Sequence, residues 1–377
     1  MSAQATATVT TKSAKKTSRG GSTAVVHIAL VLICFVWLIP TIGLFVSSFR
    51  TANDIQISGW WTVVPHFGQV KVAEVPIPTD QDKNGVMTIE GATGTFEQFR
   101  AGVTAPDGRQ VVWIGNKRAG RIEIKGQQLT SNANFTLDNY GFVLTGKDYQ
   151  LTLPDGTVET QHGDDMSGAF INSVIVAVPS TLIPILVAAF AAYGFAWMRF
   201  PGRRVLFILV VALLVVPLQI ALVPILRDYV SLSINGTYLA VWLAHTGFGL
   251  PLATYLLYNY ISELPREILE SAFIDGASHF SIFRQLILPL SIPALAAFAI
   301  FQFLWVWNDY LVALIFIGAK SDTQVVTQRL AEIVGSRGND WHLLTAGAFI
   351  SMLLPLAVFF ALQRYFVRGL LSGSVKG

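Results

Sequence analysis

Residues 263–289 read ELPREILESAFIDGASHFSIFRQLILP, a polar, helix-forming stretch set between two long apolar runs. A loop joining two membrane spans has no folding reason to be this regular. Pro265 suits the first turn of a helix, where its missing N–H costs nothing. Ile268, Leu269, Ala272 and Phe273 recur on one helical face, with Arg266, Glu267, Glu270 and Ser271 mostly off it. Gly276 suits the left-handed residue that ends a helix, and Ser278 can cap a second one. That second helix carries its own apolar stripe, Phe280, Phe283, Leu286 and Ile287. The stretch is predicted to be two short helices joined by a bend, presenting an apolar knob with an acidic rim to something outside the lipid.

The rest of the composition belongs to a membrane protein. Apolar residues make up 53% of the 377, charged residues only 13%, where a soluble chain has about 25%. A net charge of +3 is too small to point to nucleic acid. Cys34 is the single cysteine, so no internal disulfide can form, and inside an apolar run it reads as a small hydrophobe.

Crossing a bilayer takes roughly 20 apolar residues. Six segments qualify: Ala24–Phe49, Gly168–Trp197, Val205–Leu226, Thr237–Tyr260, Leu290–Gly318 and Leu343–Phe366. The first is too long for a signal-peptide core and is read as a retained span. Basic residues orient them. Lys12, Lys15, Lys16 and Arg19 lie before the first span, Arg199, Arg203 and Arg204 after the second, and Arg364, Arg368 and Lys376 around the end of the last. The opposite loops mix Arg227, Lys320, Arg329 and Arg337 with Asp228, Asp322, Glu332 and Asp340. The imbalance places both termini and the 263–289 stretch in the cytoplasm. Residues 1–23, rich in Ser, Thr, Ala and Lys, read as a disordered cytoplasmic tail, and 368–377 as a second tail.

Residues 50–166 contain no spanning run. They alternate β-prone stretches (Gln110–Ile114, Arg121–Lys125, Tyr149–Leu153) with the turn dipeptides Asp107-Gly108 and Asp155-Gly156. A small, mainly β domain outside the membrane is predicted there.

With these residues in view, the chain resembles a known family. The spacing Glu270-Ser271-Ala272, Gly276 and Leu286-Ile287-Leu288-Pro289 is similar to the coupling loop of type I ABC importer permeases, with Ser271 and Leu286 departing from the commonest residues. In sugar-importer permeases the first span is followed by a Pro-containing stretch and then by Phe-Thr-Leu-x-Asn-Tyr. Trp60–Pro65 and Phe135–Tyr140 look like those two pieces, so residues 66–134 read as an insertion, of the kind found in α-glucoside importer permeases. The resemblance covers about 24–65 and 135–377. It implies an all-α membrane protein of six transmembrane helices with a β-rich extracytoplasmic insert between helices 1 and 2, and a core permease domain over 167–367. It implies four kinds of partner: a second homologous permease subunit, two ATPase subunits, a periplasmic sugar-binding protein and the surrounding lipid. No cofactor and no reaction centre of its own are implied. It assigns ATPase coupling to Glu267, Glu270, Ser271, Ala272, Asp275, Gly276 and Pro289, and ATPase contact to the tail residues Arg368, Gly369, Lys376 and Gly377. The loop near Thr323–Asp340, with Gly335, Gly338, Asp340 and Trp341, corresponds to the one that enters the sugar-binding protein and reads as a mobile probe.

Other candidate chemistry is thin. Gly141–Asp148 has P-loop spacing, but Asp148 stands where the Ser or Thr that binds magnesium should be, and an acid there repels phosphate. The six histidines lack paired ligand spacing, which leaves no metal site, and His245 reads as a packing or pore-lining group. Polar groups inside spans face protein or water, which makes Gln302, Asn308 and Asp309 the candidates for a translocation path. Trp305, Trp307 and Tyr310 beside Asp309 suit sugar stacking, but an aromatic belt at the outer interface with a structural hydrogen bond is the favoured reading. The sequence thus reads as the permease of an ABC sugar importer, for α-glucosides or other oligosaccharides. The alternative is an ion-coupled secondary transporter, which needs ionisable groups or broken helices at the midplane.

Overall fold

The computed structural model describes residues 20–79, 81–118, 120–152, 157–161, 164–336 and 340–372. The first helix, α1 (Gly20–Ser48), is apolar on every side and exposed along most of its length. Such a surface is compatible with lipid or another chain, not with water.

The chain then enters a tight neck. Arg50 is 1% exposed, and its guanidinium donates to the Asp54 and Ser58 carbonyls, each at 2.9 Å, and to Ser58 Oγ at 2.6 Å. Burial holds the Arg50 pKa below its ordinary value, with Asp54 opposing. A short helix, α2 (Ala52–Ile57), capped by Thr51, and a tight turn at Trp60–Val63 lead into a β body.

Strand β1 (His66–Val75) is followed by the hairpin β2 (Met87–Ile89) and β3 (Ala92–Gly94), turned through Glu90 and Gly91, both at positive φ. Next come α3 (Phe96–Ala101), entered by the reciprocal Thr95–Gln98 cap, and β4 (Val103–Thr104), β5 (Gln110–Ile114) and β6 (Arg121–Thr130). The main sheet is antiparallel in the order β1-β6-β5-β4, with His66 opposite Thr130 and Val75 opposite Ile122. Met87, Ile89, Phe96, Phe99, Val111, Trp113 and Ile122 form a core of its own. The expected strands at 110–114 and 121–125 are present, the second running on to Thr130, and β1 was not anticipated.

The chain closes the neck on its return. Asn132 N–H donates to Thr62 O at 2.9 Å, Ser131 Oγ to Val63 O, and Thr136 N–H to Phe49 O. Helix α4 (Asp138–Thr145) follows. Its Asn139 side chain donates to the Ser48 and Arg50 carbonyls, and the Tyr140 hydroxyl lies 2.6 Å from Ser48 Oγ. The Phe135–Tyr140 motif is therefore a fastening for the end of α1. Gly141 to Thr145 lie inside α4, so the P-loop-like spacing forms no phosphate-binding loop. Strands β7 (Tyr149–Thr152) and β8 (Val158–Gln161) pair apart from the main sheet; Leu153, Asp155 and Gly156 lie outside the described residues.

The remaining chain is helical. Helix α5 (Ser167–Trp197) packs along α8 (Tyr238–Ser262) through buried Ala177, Ala188, Ala192, Ala240, Ala244 and Ala253. Small residues let membrane helices approach closely. Between them in sequence, α6 (Arg203–Ala212) and α7 (Leu218–Ser231) are bent by 106°, where a straight span over Val205–Leu226 was expected. Pro217 explains the difference: it sits in extended backbone, lacks an N–H and cannot continue the helix. The expected span Leu290–Gly318 is also broken. Three short helices, α9 (Arg266–Ile274), α10 (His279–Ile282) and α11 (Leu288–Leu290), precede α12 (Ile292–Trp307), with a 71° bend at Ser291. A π-helical segment, Phe283–Ile287, joins α10 to α11. After Trp307 the chain breaks and resumes as α13 (Leu311–Phe316), α14 (Val326–Ser336) and α15 (Trp341–Ser372). Helix α15 continues past the expected tail boundary at 368. Among the described residues four helices are long and apolar enough to cross a bilayer, and the two bent pairs raise this to six if each counts as one span.

Candidate functional site

The 263–289 stretch is a helical hairpin. Pro265 stands just before α9 as its N-cap, one position ahead of the first turn expected for it, and Gly276 has φ 76° just beyond the helix end. No heavy atom lies within 4 Å of where a Gly276 Cβ would sit, so the backbone conformation alone demands glycine. Ser278 Oγ accepts from the Ser281 N–H at 3.2 Å and starts α10.

The apolar residues divide between two faces. Leu269, Ile282, Phe283 and Ile287 are buried against Ile185, Ala188, Tyr193, Leu257 and Ile261 of α5 and α8. Ile268, Phe273, Ile274 and Phe280 are exposed, Ile274 at 86%. Phe280 nevertheless stays on the Phe283 side, stacking at 6.4 Å on Phe190, the ring that Phe283 also covers. Glu267, Glu270, Ser271 and Asp275 are exposed along this arm, Ala272 is half-buried, and Pro289 is exposed farther on, in α11.

Sequence reading missed how the hairpin is attached. Tyr193, nearly fully buried on α5, places its hydroxyl 2.8 Å from His279 Nδ1, and Phe190 stacks on Phe283 at 3.9 Å between ring centres. Trp197 Nε1 donates to Ile261 O and ties the adjoining ends of α5 and α8 together. The hairpin is thus a rigid projection seated on two long helices, and it presents four exposed apolar side chains among carboxylates.

Gln302, Asn308 and Asp309 do not converge on one surface. Gln302 is 2% exposed and donates to the Ser180 and His245 carbonyls at 3.2 and 3.3 Å. Gly249 makes room for it, since a Cβ there would come within 2.6 Å of Gln302 Oε1. Gln302 also borders a cavity of about 480 Å³ lined by Leu252, Phe298, Phe301, Leu304 and Trp305. Asn308 is exposed and donates to Leu304 O. Asp309 caps α13: its Oδ2 accepts from the Val312 and Ala313 N–H groups at 2.9 and 3.2 Å. Its carbonyl accepts from Thr327 Oγ1. His245 on α8 brings Nε2 to 3.8 Å from Asp309 Oδ2, a pairing that two residues 64 positions apart gave no sign of.

The segment near 323–340 forms helix α14 where an open loop was expected. Val326 and Ile333 are buried, and Arg329 pairs with Glu332 on the outer side at 3.0 Å. Asn172 donates to the Asp322 and Gln324 carbonyls, and Ser173 Oγ accepts from the Val326 N–H at 2.8 Å. Gly335 falls within α14, and Gly338 lies outside the described residues. Asp340 is buried at the start of α15, and Trp341 is half-exposed. Arg368 and Gly369 are part of α15, whereas Lys376 and Gly377 lie outside the described residues.

Residues 165–372 match a family described as binding-protein-dependent transport system inner membrane component. The alpha-glucoside transport system permease protein AglG of Rhizobium meliloti (strain 1021) is 47% identical over 394 residues, covering 95% of this chain and 98% of that one. The osmoprotective compounds uptake permease protein GgtD of Synechocystis sp. is 47% identical over 351 residues, covering 93% of this chain and 91% of that one. In fold, the chain is similar to part of a bacterial ABC transporter involved in the import of the acidic polysaccharide alginate. The TM-score is 0.60 at 15% identity, over 95% of this chain and 100% of that chain.

Proposed function

This chain belongs to the family of binding-protein-dependent transport system inner membrane components, and from that premise we propose a permease subunit of a sugar importer, with α-glucosides or related oligosaccharides as cargo. The two relatives that match nearly end to end carry permease names, one of them for alpha-glucosides. With the bent α6–α7 pair read as the third crossing and α12 as the fifth, six crossings would leave both termini and the hairpin on one side. The basic residues favour the cytoplasm for that side. The β body of 66–130 then lies outside, between the first two spans.

The observation that carries the mechanism is the hairpin itself. Ile268, Phe273, Ile274 and Phe280 form an exposed apolar knob ringed by Glu267, Glu270 and Asp275, on a base locked into α5 and α8. A pair of ATPase subunits, one under this chain and one under a second homologous permease, would grip the two knobs. Closing on ATP, the pair would turn the attached helices as levers, and access to the cavity would pass from one side of the membrane to the other. The exposed surface of α1 suits the second permease or lipid. A periplasmic sugar-binding protein would deliver cargo against the face carrying α14 and Trp341. The ion-coupled reading finds little support, because Asp309 is engaged as a helix cap.

The test is reconstitution. This chain, reconstituted with a homologous permease, an ATPase and a sugar-binding protein from the same organism, should take up labelled α-glucoside in proteoliposomes only with ATP inside. Charging the knob with Ile274→Asp should abolish ATPase co-purification. Uptake driven by an ion gradient without ATP would refute the assignment.

A further inference from the structure

Three helical segments meet at a small chamber with three polar side chains in its wall. Ser173 on α5, His245 on α8 and Asp309 at the α12–α13 break line it, with Val176, Val306, Trp307, Ala313 and Val325 around them. Its volume is about 10 Å³, about the least that holds one water molecule. His245 is completely buried, and among the described residues neither ring nitrogen has a protein hydrogen-bond partner. A buried donor or acceptor left in that condition is destabilising unless something fills the gap. The nearest acceptor, Asp309 Oδ2 at 3.8 Å, is beyond direct hydrogen-bonding range, and a polar pair at such a separation is suited to a bridging water.

We propose that this chamber is a binding site for a single water molecule that joins His245, Asp309 and Ser173 and fastens the α12–α13 break to α5 and α8. The donors and acceptors match one water. Ser173 Oγ already accepts from the Val326 N–H, which leaves its proton free to donate. The water accepts that proton, donates one of its own to the Asp309 carboxylate, and completes its shell with an imidazole nitrogen. A metal ion suits the chamber poorly. Hard cations take six or more oxygen ligands, and only Ser173 and Asp309 bring side-chain oxygens here, each already accepting backbone N–H bonds. The water would complete a junction whose other bonds run from Asn172 to the Asp322 and Gln324 carbonyls, from Tyr238 to Asn172, and from Thr327 to Asp309 O. Helices α5 and α8 and the 308–327 segment would then move as one body.

The test is electron cryomicroscopy of the full chain in its assembled transporter, at a resolution that shows ordered water. One water peak within hydrogen-bond distance of Ser173 Oγ, an imidazole nitrogen and the Asp309 carboxylate is expected, and it should vanish in His245→Leu. An empty chamber with the imidazole bonded directly to Asp309, or a peak with metal-like coordination, would overturn the proposal. Thermal denaturation gives a second reading with His245→Leu, Asp309→Asn and the double variant; the asparagine oxygen can still cap α13. A shared water requires the double variant to lose no more melting temperature than the worse single variant. Fully additive losses would count decisively against it.

Discussion

Tyr193 and His279 touch across 86 positions of sequence: the buried phenol of α5 lies 2.8 Å from the imidazole that opens α10. This is a polar bond from the hairpin to the long helix behind it, and it sits beside the apolar stack of Phe190 on Phe283. Apolar contacts allow sliding, whereas a directional bond sets the orientation of the two parts. On the proposed coupling role, force arriving at the hairpin would reach α5 through a defined point.

Removing the hydroxyl tests this directly. Tyr193→Phe keeps the ring and its packing and loses one hydrogen bond, worth about 1 kcal/mol. The complex should still assemble and hydrolyse ATP, with fewer sugars taken up per ATP. Parallel uptake and phosphate-release assays measure the ratio, and an unchanged ratio would show that packing alone suffices.

Gly276→Val should uncouple more severely. A side chain at φ 76° is strained by about 1–2 kcal/mol, and β-branching worsens it. The surrounding space is open, so the damage comes from reshaping the turn and not from a clash. Gly276→Asn, which tolerates the left-handed conformation, should recover most of the uptake. Equal loss in both variants would point to a surface requirement at this position.

The β body should be removable. Phe67 and Leu129 face each other across β1 and β6, and the neck bonds of Thr62, Val63, Ser131 and Asn132 lie outside them. Replacing 68–128 by Asn-Gly, a two-residue hairpin turn, should leave the amount of chain in the membrane fraction unchanged. Degradation or failure to insert would show that the body helps to build the helical core.

Trp113→Ala should unfold that body selectively. The indole is 2% exposed among Met87, Phe96 and Ile122, and such truncations cost about 3–5 kcal/mol. Limited proteolysis should then cut within 66–130 while the helices remain protected.

Much of this was legible in the sequence because local chemistry acts locally. Gly276, Ser278 and Pro265 each do in the structure what their covalent geometry prescribes, and the 110–114 and 121–125 strands follow from alternation and β-propensity. Hydropathy found every apolar segment but not its shape. It counts transfer energy and is blind to where Pro217 or Asp309 interrupts a helix. Helix α14 was hidden among Gly335, Gly338 and its polar residues, since its order comes from Asn172 and Ser173 on a helix 150 positions away. The His245–Asp309 chamber and the Tyr193–His279 bond are products of tertiary packing, which no spacing rule encodes.

The exposed first helix has a bearing on how the protein is made. Helix α1 needs almost nothing from the rest of the fold to be stable in lipid, and it is translated before the β body and the other long helices. The β body comes next and carries a core of its own, so it can fold before α5 has been translated. The neck at Arg50, Asn139 and Tyr140 can close only when α4 arrives, which makes it a checkpoint between an early half that is self-sufficient and a late half whose helices depend on one another. Faults in the neck should therefore surface during biogenesis, as nascent chains held at the insertion machinery, before any defect in sugar uptake could be seen.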